Sequence, residues 1–294
     1  MVGPKQHSPA AANCTSGGSG CRDFSSRNPY ATVRGKDGGS EGDVVLGWVN
    51  STVSGACVNN QNVLTLNAGT GNWEVGPPQR VSFGAIEGVL AGPGQGIVLG
   101  RHSDSSPKPN RMVGCGATGY VGGMKQSTAV WTSDDGGASY QISAGTGMPA
   151  MGGMAECQVV ELRNGSIMVN SRNEIAGAAH PHTRVAAISN DGGASFEPYY
   201  FAEELQEPTC SAGLINLGNT LYFSNPNTQK GRDMMTVKKS TDSGATWVID
   251  TLVWAGPAAY SNLVPISKCT YGVVYERGVQ AAYQWITLAT VSLC

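Results

Sequence analysis

Charge is scarce in this chain. Asp, Glu, Lys and Arg make up only 14% of its 294 residues, and the formal net charge is −2. Without a basic stripe there is nothing to neutralise a phosphate backbone, so nucleic acid is excluded as a partner. Long apolar runs are missing as well, and no stretch reaches the roughly 20 residues that a membrane-crossing helix needs. Helical periodicity is not sustained over any long segment, which argues against a helical architecture. The eight cysteines (14, 21, 57, 115, 157, 210, 269 and 294) lack the close spacing of a zinc half-site. His180 and His182 have a two-residue spacing, but no third ligand cluster accompanies them. No metal or organic cofactor is implied.

What the chain has instead is glycine, 41 residues of it, and short alternating runs bounded by Gly, Asn, Ser and Pro. Examples are residues 42–49 (GDVVLGWV), 165–170 (GSIMVN), 219–224 (NTLYFS) and 282–291. These predict many strands joined by tight turns, an all-β fold. An octapeptide, Ser-x-Asp-x-Gly-x-Ser/Thr-aromatic, recurs three times: residues 133–140 (SDDGGASY), 189–196 (SNDGGASF) and 240–247 (STDSGATW). The starts lie 56 and 51 residues apart, close to the period of a propeller blade. Each copy follows a β-prone run, so each predicts a turn in which Asp accepts backbone N–H bonds and Gly adopts positive φ. The aromatic is then placed to pack between neighbouring sheets. An eroded fourth copy ends at Trp73 (LNAGTGNW). The motif is structural, and its aspartates are not candidates for catalysis.

Residues 1–27 differ in character, being rich in Gly, Ser, Ala and Pro with little to bury. They read as a disordered lead-in without the apolar core of a signal peptide, ahead of one domain over residues 28–294. Sequons at Asn13, Asn50 and Asn164, with the even cysteine count, tilt the chain towards the secretory pathway.

Several segments carry a more specific signal. Residues 154–172 (MAECQVVELRNGSIMVNSR), 223–247 (FSNPNTQKGRDMMTVKKSTDSGATW), 259–266 (AYSNLVPI), 272–278 (GVVYERG) and 92–99 (GPGQGIVL) resemble, in order, blocks of the exo-α-sialidases of the non-viral, Asp-box type. The resemblance runs from about residue 28 to the C-terminus. It implies a six-bladed β-propeller whose central mouth holds the active site, and substrates that are sialylated glycoproteins, glycolipids or oligosaccharides. By that resemblance Tyr260 matches the nucleophile and Glu156 the base that removes its proton. Arg172 and Arg232 match two members of an arginine triad that binds the substrate carboxylate, and Glu276 matches the acid that orients the remaining arginine. Gln158, beside Glu156, either lines such a site or bonds within it.

The chemistry suits these residue types. Sialic acid carries a carboxylate on its anomeric carbon, which planar, permanently charged arginine grips bidentately. That carboxylate repels an anionic nucleophile, whereas a tyrosine activated by glutamate avoids the conflict; sialidases stand apart from the two-carboxylate glycosidases for this reason. One departure is plain. The family's first strand, with an Arg-Ile/Leu-Pro motif and an acid/base aspartate some two dozen residues later, has no match here, and neither Arg34 nor Arg80 sits in such a motif. The first blade is therefore expected to be incomplete and turnover impaired. The competing expectation is a non-catalytic Asp-box propeller that binds sialylated glycans or a protein. Taken singly, Tyr260 would be a packed aromatic and the two arginines surface ion-pair partners.

Overall fold

The structure is a computed structural model, and it describes residues 25–33, 42–51, 57–83, 89–118, 127–143, 156–174 and 182–294. The lead-in up to residue 24, Arg34 and His180 lie outside these. In chain order the strands are β1 (Ser25–Val33), β2 (Val44–Ser51), β3 (Cys57–Asn67), β4 (Asn72–Val75), β5 (Gln79–Val81), β6 (Leu90–Ala91) and β7 (Gly94–Gln95). There follow β8 (Ile97–Val98), β9 (Met112–Thr118), β10 (Ser127–Ser133), β11 (Gln141–Ile142), β12 (Cys157–Glu161), β13 (Ile167–Ser171) and β14 (Thr183–Ser189). The remainder are β15 (Tyr200–Gln206), β16 (Gly213–Leu217), β17 (Thr220–Pro226), β18 (Asp233–Ser240), β19 (Val248–Ser267), β20 (Thr270–Arg277) and β21 (Trp285–Ser292). No helix occurs among the described residues.

These strands form four sheets in a propeller-like arrangement. Sheet 1 runs β4-β3-β2-β1-β7 with β5 on β3, and sheet 2 runs β11-β10-β9-β6 with β8 on β9. Sheet 3 is β12-β13-β14-β15, and sheet 4 is β16-β17-β18-β19-β20-β21. The long strand β19 is shared: residues up to Pro257 pair with β18, and residues from Ala258 onward pair with β20. Sheet 4 is thus two half-sheets joined through one strand.

Each sheet buries its apolar face against the next in chain order. Val45 of sheet 1 meets Val98 and Met112 of sheet 2. Leu99, Val113 and Val130 of sheet 2 pack on Val159, Ile167 and Val185 of sheet 3. Val160, Met168 and Leu205 of sheet 3 pack on Leu214, Phe223 and Trp247. The halves of sheet 4 meet through Met235, Val237, Leu263 and Tyr271. The Gln95 side chain in turn donates to the Leu263 carbonyl, bringing β7 of sheet 1 against β19. Disulfides add Cys115–Cys157, between sheets 2 and 3, and Cys269–Cys294, which ties the chain end to the β19–β20 turn.

The three octapeptides form one kind of turn. In the first, Asp135 accepts from the Ser139 N–H at 2.9 Å and the Ser133 hydroxyl at 2.7 Å, while the Gly137 N–H donates to Ser133 Oγ at 2.8 Å. Asp191 and Asp242 repeat these bonds, and Gly137, Gly193 and Gly244 sit at φ of 91°, 90° and 86°. Tyr140 and Trp247 are buried, and Tyr140 donates back to Gln61 of sheet 1 at 2.8 Å. All three aspartates are exposed. The eroded copy keeps the turn, with Asn67 Oδ1 accepting from the Gly69 and Thr70 N–H groups, but its Trp73 is 48% exposed.

Candidate active site

The register of β12 against β13 pairs Cys157 with Ser171, so the residues just beyond, Glu156 and Arg172, emerge side by side. Their backbones are joined by an N–H···O bond from Arg172 to Glu156 of 2.8 Å. Arg172 Nη1 then donates to Glu156 Oε2 at 2.7 Å. From sheet 4, Tyr260 follows the point where β19 changes partners, at a register shift between Ala258 and Ser261. Its hydroxyl donates to Glu156 Oε1 and accepts from Arg172 Nη1 at 3.3 Å. Arg232 leaves the β17–β18 turn beside Gly231, whose φ is 80°, and its guanidinium lies 5.6 Å from the centroid of the Tyr260 ring. Its Nη1 donates to the Tyr283 hydroxyl and its Nη2 to the Thr209 carbonyl, both at 2.8 Å. Glu276 of β20 accepts from the Tyr260 N–H at 3.1 Å. Four residues drawn from positions 156 to 276 therefore touch one tyrosine.

Tyr260 is half-buried, and burial, reinforced by the Glu156 charge, raises its phenol above the ordinary value. Free phenolate is correspondingly rare near neutrality, and proton loss requires transfer to Glu156, whose side chain is 1% exposed. Burial alone would lower Arg172, but the Glu156 and Glu174 carboxylates outweigh it and hold the guanidinium charged. Arg172 is shared between these two acids: Nη2 donates to Glu174 at 2.6 Å. Its fork does not stand open, as a carboxylate-binding arginine is expected to; two glutamates already occupy it.

Beneath this layer lies a third arginine, one that the sequence did not single out. Arg184 of β14 is fully buried and pairs with Glu207 at 2.6 Å. It also donates to Asn170 Oδ1 at 2.7 Å, to the Cys210 carbonyl at 2.8 Å and, at 3.4 Å, to the Glu156 carbonyl. Glu207 in turn accepts from the Asn173 N–H. One ion pair thus holds the Glu156 carbonyl, the main chain just after Arg172, and the Cys210 carbonyl next to the Thr209 whose carbonyl takes Arg232. The Cys210 thiol, free and buried beside Ala259, is pushed up to about 12 by desolvation.

A cavity of about 470 Å³ opens next to Tyr260, between sheets 1 and 4, lined by Ala31, Leu46, Pro93, Gly94 and Glu276 among others. Gln158 is buried and donates to the Pro93 carbonyl at 2.8 Å, so it bonds within the wall and leaves the opening to others. His182 is exposed, Arg80 is exposed on β5, and no cluster of three metal-ligating side chains occurs among the described residues. Glu174, Tyr283, Arg184 and Glu207 were missed by sequence reasoning. Glu174 alone carried a local signal, an acid two positions after a matched arginine.

Comparison with known proteins supplies the lineage. Residues 89–274 match the family model of the BNR repeat-like domain. A sialidase of Micromonospora viridifaciens is 31% identical over 210 residues, covering 68% of this chain and 30% of that protein. The chain therefore spans less than a third of that curated relative. Among solved structures, the Hadza microbial sialidase Hz136 superposes with a TM-score of 0.70 at 23% identity, over 92% of this chain and 53% of its own. An α-L-arabinofuranosidase, Arb93a of Fusarium graminearum, shares the fold with a TM-score of 0.58 at 14% identity. The fold is common to more than one glycosidase, while sequence likeness above 30% is to sialidase. The chain belongs to the BNR repeat-like domain family, among relatives that are sialidases.

Proposed function

We propose that this chain carries the nucleophile half of a retaining exo-α-sialidase site, with Tyr260 as nucleophile, Glu156 as its base, and Arg172 and Arg232 as ligands for the substrate carboxylate. The observation that carries the reading is the hydrogen-bonded set Tyr260–Glu156–Arg172, drawn from sheets 3 and 4. Tyr260 Oη would attack the anomeric carbon as its proton passes to Glu156, and the bond to the aglycone oxygen would break, an aryl aglycone leaving as its phenolate. Water would then attack the tyrosyl glycoside, giving up its proton to solvent, while Glu156 returns its proton to the departing Tyr260 oxygen. Arg232, stacked on the ring, would stabilise negative charge growing on the phenol oxygen. Glu276, on the Tyr260 N–H, fixes the backbone at the nucleophile.

On this reading the propeller has six blades. Sheets 1 to 3 and the two halves of sheet 4 account for five. The sixth would fall in the wedge between sheets 1 and 4, where Ile266, Ile286 and Leu288 present an apolar face to solvent. A paired-carboxylate glycosidase of the same fold would need neither the tyrosine nor the arginines.

The test uses an aryl sialoside with a fluorogenic leaving group, which depends little on acid assistance. The chain should turn it over, and Tyr260→Phe should abolish turnover while remaining folded. Turnover that survives Tyr260→Phe would refute the assignment, as would activity on an aryl arabinofuranoside in its place.

A further inference from the structure

Arg172 and Arg232 meet at Tyr260 in different states. Arg172 is held by the carboxylates of Glu156 and Glu174, at 2.7 and 2.6 Å. Arg232 has no carboxylate within ion-pair distance among the described residues, and its two acceptors are neutral. Nη1 donates to the Tyr283 hydroxyl and Nη2 to the Thr209 carbonyl, each at 2.8 Å. Every Nη carries two hydrogens, so one on each arm of the fork fixes its position and one is left over. The guanidinium is thereby oriented, 5.6 Å from the Tyr260 ring centroid, with its charge unneutralised.

We propose that Tyr283 is a positioning residue: together with the Thr209 carbonyl it sets the plane of Arg232 before an anion arrives, and leaves the charge of Arg232 to that anion. The identity of the anion, the carboxylate of a sialic acid, rests on the sialidase reading. The backbone around the guanidinium supports the role. Thr209 sits at φ 55° and Met234 at φ 57°, a region that residues with a side chain rarely adopt and that suits a β-branched threonine least. Gly231, immediately before Arg232, lies at φ 80°. Such conformations are unfavourable and persist where the surroundings over-determine them, as they do at ligand clamps. Here Thr209 gives its carbonyl to Arg232, and the next carbonyl, of Cys210, goes to Arg184.

Tyr283 is 63% exposed, yet the loop that carries it is fixed on both sides. Ala282 is buried against Cys210 and Ala259, the neighbours of Thr209 and Tyr260. Gln284 Oε1 accepts from the N–H groups of Val279 and Gln280 at 2.7 and 3.0 Å, and the Gly278 N–H donates to the Pro257 carbonyl at 2.9 Å. A side chain at Gly278 would collide with the Ala281 carbonyl. An aromatic ring held this exposed adds little to the core; its hydroxyl, bonded to Arg232, is what the loop presents. Without that bond the substrate itself would have to immobilise Arg232. That cost falls equally on bound substrate and transition state, so it enters KM and leaves kcat alone.

The experiment compares the full chain with Tyr283→Phe, Arg232→Lys and the double variant, using an aryl sialoside for kinetics and an unsaturated sialic acid analogue for direct titration. The methyl ester of the analogue, which lacks the charge, is the control. Tyr283→Phe should raise KM and weaken the acid about three- to tenfold, the scale of one long side chain immobilised on binding, with kcat within about twofold and both Tm and the ester unchanged. In the Arg232→Lys background the same change should add nothing, because Tyr283 acts through Arg232. A merely structural tyrosine would instead weaken acid and ester alike. Nitrogen-15 NMR of the ligand-free protein reads the orientation directly: slow rotation of the Arg232 guanidinium, recognised by its absence in Arg232→Lys, should be lost in Tyr283→Phe. Rotation as free in the wild type as in Tyr283→Phe would overturn the role given to Tyr283, as would an acid that binds both equally or effects that add in the double variant. Slow rotation lost in Tyr283→Phe, with no binding of the analogue by any form, would keep that role and sink the sialidase reading instead.

Discussion

Replacing Arg184 by Met is the most informative single perturbation of the scaffold. The side chain is fully buried, its guanidinium bonds Glu207 at 2.6 Å, the Asn170 side chain and three backbone carbonyls, and its cation lies 5.7 Å from the Phe223 ring centroid. Methionine fills most of the volume but leaves the Glu207 carboxylate in the interior without a cation, a change that typically costs about 3–5 kcal/mol. For a chain of this size that is a fall in Tm of roughly 5–15 °C. Glu207 already has its carboxyl raised by burial, against the pull of Arg184. Without Arg184 it should rise further above its unfolded value, so the folded variant binds a proton that the unfolded chain releases. The variant's deficit should thus be smallest below about pH 4, and should grow as pH rises through the folded value. Adding Glu207→Gln removes the stranded charge, and should restore about 1–3 kcal/mol at pH 7. Thermal unfolding of the wild type, Arg184→Met and the double variant, followed by circular dichroism at pH 5 and pH 8, reads all of this. Equal Tm for the single and double variants at both pH values would show that Glu207 is not a stranded charge, and the account of the pair would fail.

Two further outcomes follow from groups outside the ion pair. Asp135 is held down to about 2 by the Ser139 hydroxyl and N–H, and Asp242 to about 2 by Thr246; Asp191 also lies near 2, Ser195 outweighing the opposing effect of partial burial. Folded values below the unfolded value of about 3.9 mean that their contribution is complete above pH 4 and lost as pH falls towards 2. Tm should decline over that window, and less so in Asp242→Asn; a decline of the same steepness in the variant would count against it. The Cys210 thiol, buried and pushed up to about 12, should resist iodoacetamide at pH 8 until the chain unfolds, as peptide mass spectrometry can show. Labelling of Cys210 in the native protein would contradict its burial.

The legible parts of this molecule are those whose causes are local. The turns at Asp135, Asp191 and Asp242 close within eight residues, and motif and geometry coincide there. Tyr260, Glu156, Arg172, Arg232 and Glu276 were found through flanking strings and do gather, because each string belongs to a strand end that the sheets bring to the same side. Arg184 and Glu207 left no trace in sequence, since 23 residues and two strands separate partners that meet only after β14 and β15 pair. The state of Arg172 was the largest gap. A motif names an arginine but not the two acids that already hold it.

Strand β19 has a consequence for cooperativity. Because residues up to Pro257 serve β18 and those from Ala258 serve β20, neither half-sheet can open without releasing the other's edge. Amide hydrogens from β16 to β21 should therefore exchange as a single unit, with the Cys269–Cys294 link closing its far end. Tyr260 sits three residues beyond the handover, inside that unit. Partial fraying elsewhere in the ring would leave its alignment intact, and its loss would be all-or-none with the last six strands.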